Sequence, residues 1–283
     1  MTDHPRGVML PGAEHIEILN DRIERGRIRF ALFDFDGTIS LIREGWQNVM
    51  IPMMVEVLAE VHTGESQEEL HTIVREFVTR LTGKQTIYQT MEVAEQVKLR
   101  GGTPKDPTEY KWDYLNLLWE RIADRVAGLK EGRFTPEEMA VPGALEFVAA
   151  LKGRGVTLYL ASGTDRPYVL DESACLGLGQ YFGDNIYGAL DDYKKISKAI
   201  IIQRIIEEHH LHGSELVAFG DGYVEIENVK EVGGIAVGVA TEEAKREGID
   251  EWKRNRLIDA GADIIIPDFR EGTRLISHLW REE

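Results

Sequence analysis

The chain has 283 residues, a formal net charge of −16 and a single cysteine, Cys175. Such a negative charge disfavours nucleic acid and anionic membranes as partners. One cysteine excludes an internal disulfide and a cysteine-rich zinc site. The polar N-terminal segment lacks the apolar stretch of a secretion signal, and no run of about 20 apolar residues is present to span a bilayer. We therefore expect a cytoplasmic protein.

The first predicted strand lies at residues 28–35. This run, IRFALFDF, is apolar and rich in large side chains, as is typical of a buried strand in a parallel sheet. From residue 46 to 139, apolar residues recur at helical spacing, which predicts amphipathic helices without an intervening strand. Trp112, Tyr114 and Trp119 follow this spacing, and we expect them in the core of the helical segment.

Strands and helices alternate in the rest of the chain. The predicted strands are Val156–Ala161, a short strand around Ile186, Leu216–Phe219, Ile235–Val239 and Ala262–Ile266. This alternation predicts an α/β fold with a doubly wound, mainly parallel sheet. We assign residues 1–45 and 140–283 to this α/β core and residues 46–139 to an inserted helical domain. The insertion follows the first strand, at the edge where such folds bind ligands.

Asp34 and Asp36 end the first strand in the motif DFDGT. Carboxylates at the end of a buried strand must be paired, hydrated or bound to a cation. Gly37 permits an abrupt change of backbone direction that turns both carboxylates towards one point. The motif therefore indicates a nucleophile beside a general acid, close to a metal. A strand-ending turn with two solvated aspartates is the alternative.

Two further motifs indicate an anion site. Ser162 and Gly163 follow the strand Val156–Ala161, where a hydroxyl and backbone N–H groups can hold a phosphate oxygen. Capping of the next helix by Ser162 is the alternative. Lys198 opens a predicted helix, where its charge opposes the helix dipole and so favours an anionic neighbour. Lys194 and Lys195 are the alternatives to Lys198.

Asp221 follows the predicted strand Leu216–Phe219 and precedes Glu225 by four residues. Mg²⁺ prefers carboxylate oxygens, so Asp221 is a candidate ligand. Glu225 would ligate the metal directly, ligate it through water, or hold Lys198. The histidines at positions 209, 210 and 212 close a helix, where histidine interacts with the terminal carbonyl groups, so we do not assign them to a zinc site.

Together these motifs resemble the haloacid dehalogenase-like hydrolase superfamily over residues 27–45 and 141–270. The helical insertion is similar to the cap that many members carry between their first two motifs. The resemblance implies roles for individual residues: the nucleophile Asp34, the general acid/base Asp36, the phosphate ligands Ser162, Gly163 and Lys198, and the Mg²⁺ ligands Asp34, Asp36 and Asp221. Glu225 stands where many relatives have an aspartate, which leaves open whether it binds the metal or supports the lysine.

The resemblance implies a Mg²⁺-dependent phosphatase that acts on a small phosphorylated metabolite through an aspartyl-phosphate on Asp34. Arg43, Glu44, Lys84 and Gln85 are the predicted substrate-binding residues of the cap side. A phosphomutase of the same superfamily is the first alternative. A non-catalytic binding module that retains the fold is the second.

Overall fold

The computed structural model describes residues 4–189 and 198–282. Its described strands form one eight-stranded sheet in the order β1-β2-β8-β7-β6-β3-β4-β5. The pairs β1/β2 and β2/β8 are antiparallel, and all other neighbours are parallel. The predicted α/β fold with a mainly parallel sheet is therefore confirmed. The strands are β1 Val8–Met9, β2 Glu17–Ile18, β3 Phe30–Phe33, β4 Thr157–Asp165, β5 Ile186–Ala189, β6 Leu216–Gly220, β7 Ile235–Val239 and β8 Ile264–Ile266.

Eleven α-helices fall within the described residues. They are α1 Gln47–Ala59, α2 Gln67–Leu81, α3 Thr86–Leu99, α4 Pro107–Lys130, α5 Ala144–Gly153, α6 Arg166–Cys175, α7 Gly179–Phe182, α8 Lys198–His209, α9 Tyr223–Glu231, α10 Glu251–Asp259 and α11 Gly272–Trp280. Across residues 4–189 and 198–282, none of the helices combines the length and the hydropathy needed to cross a membrane.

Strand β3 lies in the middle of the parallel part of the sheet, between β4 and β6. All four of its residues are buried, as its run of large apolar side chains predicts. Phe33 is in register with Leu160 of β4 and Phe219 of β6. Its ring stacks on that of Phe219 at 4.7 Å and meets Phe147 of α5 edge-on at 6.4 Å. This aromatic core fixes the strand ends that carry the site.

The sequence pattern did not predict β1 and β2, which extend the sheet beyond β8. Each strand has only two residues, which is too short to show the alternation of apolar and polar residues that marks a strand in a sequence. Glu17 in β2 is 1% exposed, and its carboxylate accepts hydrogen bonds from the buried guanidinium of Arg254. The pairing of these two charges explains why a polar residue lies in a buried strand.

The chain divides into two compact units, Gly45–Ala127 and the combination of Met1–Glu44 with Gly128–Glu283. The smaller unit holds α1 to α3 and most of α4. Ser66 caps α2: its hydroxyl accepts a hydrogen bond from the Glu69 N–H, while the Glu69 carboxylate accepts one from the Ser66 N–H. Residues 128–139, which the prediction placed in the insertion, group with the larger unit.

The packing prediction for the smaller unit is wrong for two of its three residues and confirmed for Tyr114. Trp112 and Trp119 of α4 are 46% and 44% exposed, whereas Tyr114, Leu118 and Ile122 are buried. The three buried residues follow each other at intervals of four and form one stripe of the helix. The two tryptophans lie seven residues apart, on a different stripe. Helical spacing alone did not decide which of the two apolar stripes is covered.

Candidate active site

The acidic motifs meet at the carboxyl ends of neighbouring parallel strands. Asp34 follows β3 and Asp221 follows β6, and these two strands pair directly. The Asp34 N–H continues the ladder by donating to the Phe219 carbonyl at 2.9 Å. Ser162 lies in β4, on the other side of β3. The order of the strands thus brings residues that are more than 180 positions apart in sequence to one edge of the sheet.

Three carboxylates form a compact cluster at this edge. Asp34, Asp221 and Glu225 each offer one oxygen within 4.8 Å of the other two. Asp34 is 6% exposed, and Glu225 is fully buried. Phe35 N–H donates to Asp34 Oδ1 at 2.8 Å, and Gly222 N–H donates to Glu225 Oε1 at 2.8 Å. Buried carboxylates at this spacing repel one another, so the donor set suits a hard divalent cation.

Glycines at two positions make room for the cluster. Gly37 has φ +75°, and a Cβ there would lie 2.3 Å from Asp221 Oδ2. A Cβ on Gly220 would lie 2.1 Å from Glu225 Oε1. Both distances are shorter than any real contact, so only glycine fits without displacing a carboxylate. The Asp221 N–H also donates to Thr38 Oγ1 at 3.0 Å, which joins the DFDGT loop to the end of β6.

Asp36 has a different environment from Asp34. Its Oδ2 accepts hydrogen bonds from Ser162 Oγ at 3.1 Å and from Thr164 Oγ1 at 2.9 Å. Its Oδ1 is buried, and no described residue donates a hydrogen bond to it. Arg43 Nε lies 3.9 Å from the same oxygen. The two hydroxyls thus orient the Asp36 carboxylate through Oδ2, and Oδ1 is the oxygen available for proton transfer to a bound group.

Arg43 itself belongs to a buried ion pair. Its Nε and Nη2 donate to Glu172 of α6, with the shortest contact at 2.6 Å, and its guanidinium lies 5.4 Å from the Tyr168 ring centroid. Arg43 is 7% exposed and Glu172 is 1% exposed. Burial raises the pKa of Glu172, and the charge of Arg43 opposes that rise. The structure thus places the predicted substrate ligand Arg43 between Glu172 and Asp36.

A second buried cation adjoins the acid cluster. Lys253 of α10 donates from Nζ to Asp221 Oδ2 at 2.8 Å and to Glu243 Oε1. Burial disfavours its charged form, but the charges of Asp221 and Glu243 outweigh burial and raise the pKa of Lys253 above its usual value. We therefore treat Lys253 as an ammonium ion. No motif in the sequence marked Lys253 or Glu243.

The predicted phosphate-binding lysine lies at the border of the described structure. Lys198 begins α8, but its side chain is outside the described residues, as are Lys194 and Lys195 entirely. Its role stays a prediction. Ser162, the predicted phosphate ligand, donates its hydroxyl to Asp36 and accepts the Thr164 N–H at 3.0 Å, and Gly163 follows it within β4.

The remaining predicted residues lie in both units. Glu44 ends the first segment of the larger unit. Lys84 and Gln85 precede α3 in the smaller unit, where Lys84 Nζ lies 5.7 Å from the Tyr88 ring centroid. Their contact with a substrate stays a prediction. His209 packs its ring 4.8 Å from that of Phe30, and its Nε2 is 2.9 Å from the Tyr159 hydroxyl, so it serves the core.

The fold and the site define an α/β protein with a buried acid cluster at the carboxyl ends of parallel strands. Residues 28–233 match the family model described as haloacid dehalogenase-like hydrolase. This match covers well over half of the chain, and the chain belongs to the haloacid dehalogenase-like hydrolases. No curated protein matches the chain in sequence.

Solved structures share the fold at low identity. A predicted phosphoglycolate phosphatase from Haemophilus somnus 129PT has a TM-score of 0.57 and 13% identity, over 88% of this chain and 98% of its own. The β-phosphoglucomutase of Clostridium difficile has a TM-score of 0.59 and 14% identity, over 90% and 98%. CbbY from Rhodobacter sphaeroides, in complex with xylulose-1,5-bisphosphate, has a TM-score of 0.53 and 21% identity, over 86% and 96%.

Proposed function

We propose that this chain is a Mg²⁺-dependent phosphatase that hydrolyses a small phosphorylated metabolite through an aspartyl-phosphate on Asp34. The observation that supports this proposal most strongly is that two aspartates of one loop have different surroundings. Asp34 lies in the cluster with Asp221 and Glu225. Asp36 lies outside that cluster, held by the hydroxyls of Ser162 and Thr164. This difference in surroundings supports Asp34 as the nucleophile and Asp36 as the acid and base.

The cluster Asp34, Asp221 and Glu225 would hold the Mg²⁺ ion. All three supply the hard oxygen donors that Mg²⁺ prefers, and their mutual repulsion makes a divalent cation the natural counter-charge. When bound, Mg²⁺ supplies positive charge that reduces repulsion between Asp34 and the phosphoryl group. The backbone carbonyl of Asp36 remains a proposed further ligand.

In the first step, an Asp34 oxygen attacks phosphorus and forms the acyl-phosphate bond while the bond from phosphorus to the leaving oxygen breaks. The Phe35 N–H restricts rotation of the Asp34 carboxylate by binding Oδ1. As general acid, Asp36 gives a proton to the departing alkoxide, which leaves as an alcohol, and Asp36 becomes a carboxylate. In the second step, Asp36 takes a proton from water, which attacks phosphorus, releases phosphate and restores the Asp34 carboxylate.

Ser162, Gly163 and Lys198 are proposed to bind the phosphoryl oxygens. Ser162 has a hydroxyl in place at the edge of β4, where it now donates to Asp36. Rotation of this hydroxyl would transfer its hydrogen bond from Asp36 to a phosphoryl oxygen. Thr164 continues to hold Asp36 in that case, because its own hydroxyl donates to the same Oδ2.

The decisive experiment is a screen of phosphorylated metabolites, read by release of inorganic phosphate with Mg²⁺ and with excess EDTA. We expect Mg²⁺-dependent release from a small phosphorylated metabolite, and none with EDTA or with Asp34→Asn. A sugar phosphate that is isomerised only when a bisphosphate is added would instead show the phosphomutase alternative. Mg²⁺ binding without turnover across the panel would favour the non-catalytic module.

We also propose that the smaller unit, Gly45–Ala127, is the cap that selects the substrate, since it is inserted between β3 and β4. Lys84→Ala should raise KM for the metabolite found in the screen and leave kcat unchanged, because Lys84 would bind a part of the substrate remote from phosphorus. Lys98→Ala is the matched control, an exposed lysine of the same unit. Equal KM values for both variants would argue against Lys84.

A further inference from the structure

Lys253 and Glu243 adjoin the acid cluster from a part of the chain that the family match does not cover. The match ends at residue 233, whereas Glu243 follows β7 and Lys253 lies in α10. Lys253 Nζ bridges the Asp221 and Glu243 carboxylates. The side chain of Lys253 is 10% exposed and that of Asp221 is 12% exposed. Solvent therefore screens this contact weakly.

Lys253 is held in this position by its neighbour in sequence. Arg254 is 1% exposed, and its guanidinium donates to both Glu17 oxygens, at 2.6 and 2.7 Å. It also donates to the carbonyl groups of His4 and Pro5. These contacts attach α10 to the N-terminal segment, which precedes the family match as well. The ammonium group beside Asp221 is thus fixed by packing from both ends of the chain.

The position of Lys253 has an electrostatic consequence. Asp221 Oδ2 accepts the hydrogen bond from Lys253, while Asp221 also offers an oxygen to the cluster with Asp34 and Glu225. One carboxylate thus serves a fixed cation and a proposed metal ion together. A fixed positive charge beside a ligand repels a divalent cation and withdraws charge from the ligand oxygens. Glu243 offsets part of this charge on the opposite side of Nζ.

We infer that Lys253 is a built-in counter-cation that shares Asp221 with the divalent metal and thereby weakens metal binding. The inference rests on the proposed metal site. The Lys253 ammonium group neutralises part of the negative charge of the carboxylates whether or not the metal is bound, which lowers their repulsion of a phosphorylated substrate. Lys253 acts through Asp221 and is a positioning residue.

The test measures Mn²⁺ affinity of the full chain by electron paramagnetic resonance, with no substrate present. Lys253→Met removes a positive charge with little change in shape, and we expect about tenfold tighter binding. Glu243→Gln removes a negative charge and should weaken binding about tenfold. The double variant restores the wild-type charge balance and should bind within about threefold of wild type.

Lys230→Met is the matched control. Lys230 of α9 also pairs with a buried carboxylate, Asp263. This carboxylate accepts the Ala236 N–H at the start of β7, the end of that strand remote from the cluster. Loss of the Lys230 ammonium group should change Mn²⁺ affinity by no more than about twofold. A similar gain in affinity for Lys230→Met would show a general effect of net charge and overturn the inference.

The outcomes separate this inference from the proposed function. Failure of the wild type to bind Mn²⁺, or binding that Asp221→Asn leaves unchanged, contradicts the metal site and the inference with it. Binding by the wild type together with unchanged or weaker binding by Lys253→Met overturns the inference alone. If Lys253→Met fails to fold, the double variant provides the test. Its net charge equals that of the wild type, so a loss of Mn²⁺ affinity there would show that the hydrogen bond from Lys253, and not its charge, controls Asp221. That result would overturn the inference.

Discussion

Two aspartates separated only by Phe35 face two differently built sides of the site. On the acidic side, Asp34 meets Asp221 and Glu225. On the polar side, Asp36 meets two hydroxyls, with the guanidinium of Arg43 3.9 Å from its other oxygen. Residue type and loop are the same, so the difference in chemistry comes from the neighbouring strands. The acidic side is suited to holding a cation and the polar side to moving a proton.

The largest expected effect tests the acidic side. Asp34→Asn removes the proposed nucleophile and should lower turnover by at least about 10⁴-fold, since the other carboxylate of the loop, Asp36, lies outside the acid cluster and is held by two hydroxyls. Phosphate release measures the loss, and thermal unfolding followed by circular dichroism checks the fold. Asp184→Asn, at an exposed position, is the control and should retain full activity. Substantial turnover by Asp34→Asn would remove Asp34 from its role.

The next effect tests the polar side. Asp36→Asn should lower kcat by about 10²–10⁴-fold for an alkyl phosphate, because the departing alkoxide then lacks its acid. The loss in the first step should be smaller for 4-nitrophenyl phosphate, whose leaving group needs no proton. Mn²⁺ affinity should change far less than in Asp34→Asn. Equal losses of the burst rate for both substrates would contradict the assignment of Asp36 as the acid.

A third variant tests the ion pair behind Asp36. Glu172→Gln leaves the buried Arg43 facing a neutral partner and should lower the free energy of unfolding by about 3–5 kcal/mol. Urea unfolding measures this change. Glu282→Gln is the matched control, because Arg154 and Glu282 also form a two-bond ion pair, but at the surface. Its unfolding midpoint should not move, since solvent screens that pair. Similar midpoints for the two variants would show that burial of the Arg43 pair is unimportant.

The smallest effect concerns one hydrogen bond to Asp36. Thr164→Val removes the hydroxyl that donates to Oδ2 and should lower kcat/KM about fivefold, the equivalent of about 1 kcal/mol. Thr164→Ser keeps the hydroxyl and should restore most of the activity. If the serine variant is as slow as the valine variant, the methyl group of Thr164 matters and the hydrogen bond does not.

Much of the fold and of the motif positions is encoded locally. The predicted strand at Ile235–Val239 has the observed bounds, and the strand at Leu216–Phe219 is one residue shorter than observed. Continuous apolar runs bounded by polar residues specify such strands because both faces of a parallel sheet are buried. Where a strand ends, an acid such as Asp34 or Asp221 becomes conspicuous, and so the sequence marked these two residues of the acid cluster, while it left the role of Glu225 open.

The partners of these residues depend on the tertiary structure. Glu172 reaches Arg43 across 129 positions, and Lys253 reaches Asp221 across 32, because strand order brings their elements together. A lone charged residue on a helix looks the same in sequence whether it faces solvent or a buried partner. The sequence by itself determined the parallel strands β3 to β8 and the acids at the ends of β3 and β6. Only tertiary packing decided which charges form ion pairs. These pairs join elements that are distant in sequence, and the local periodicity of apolar residues carries no information about them.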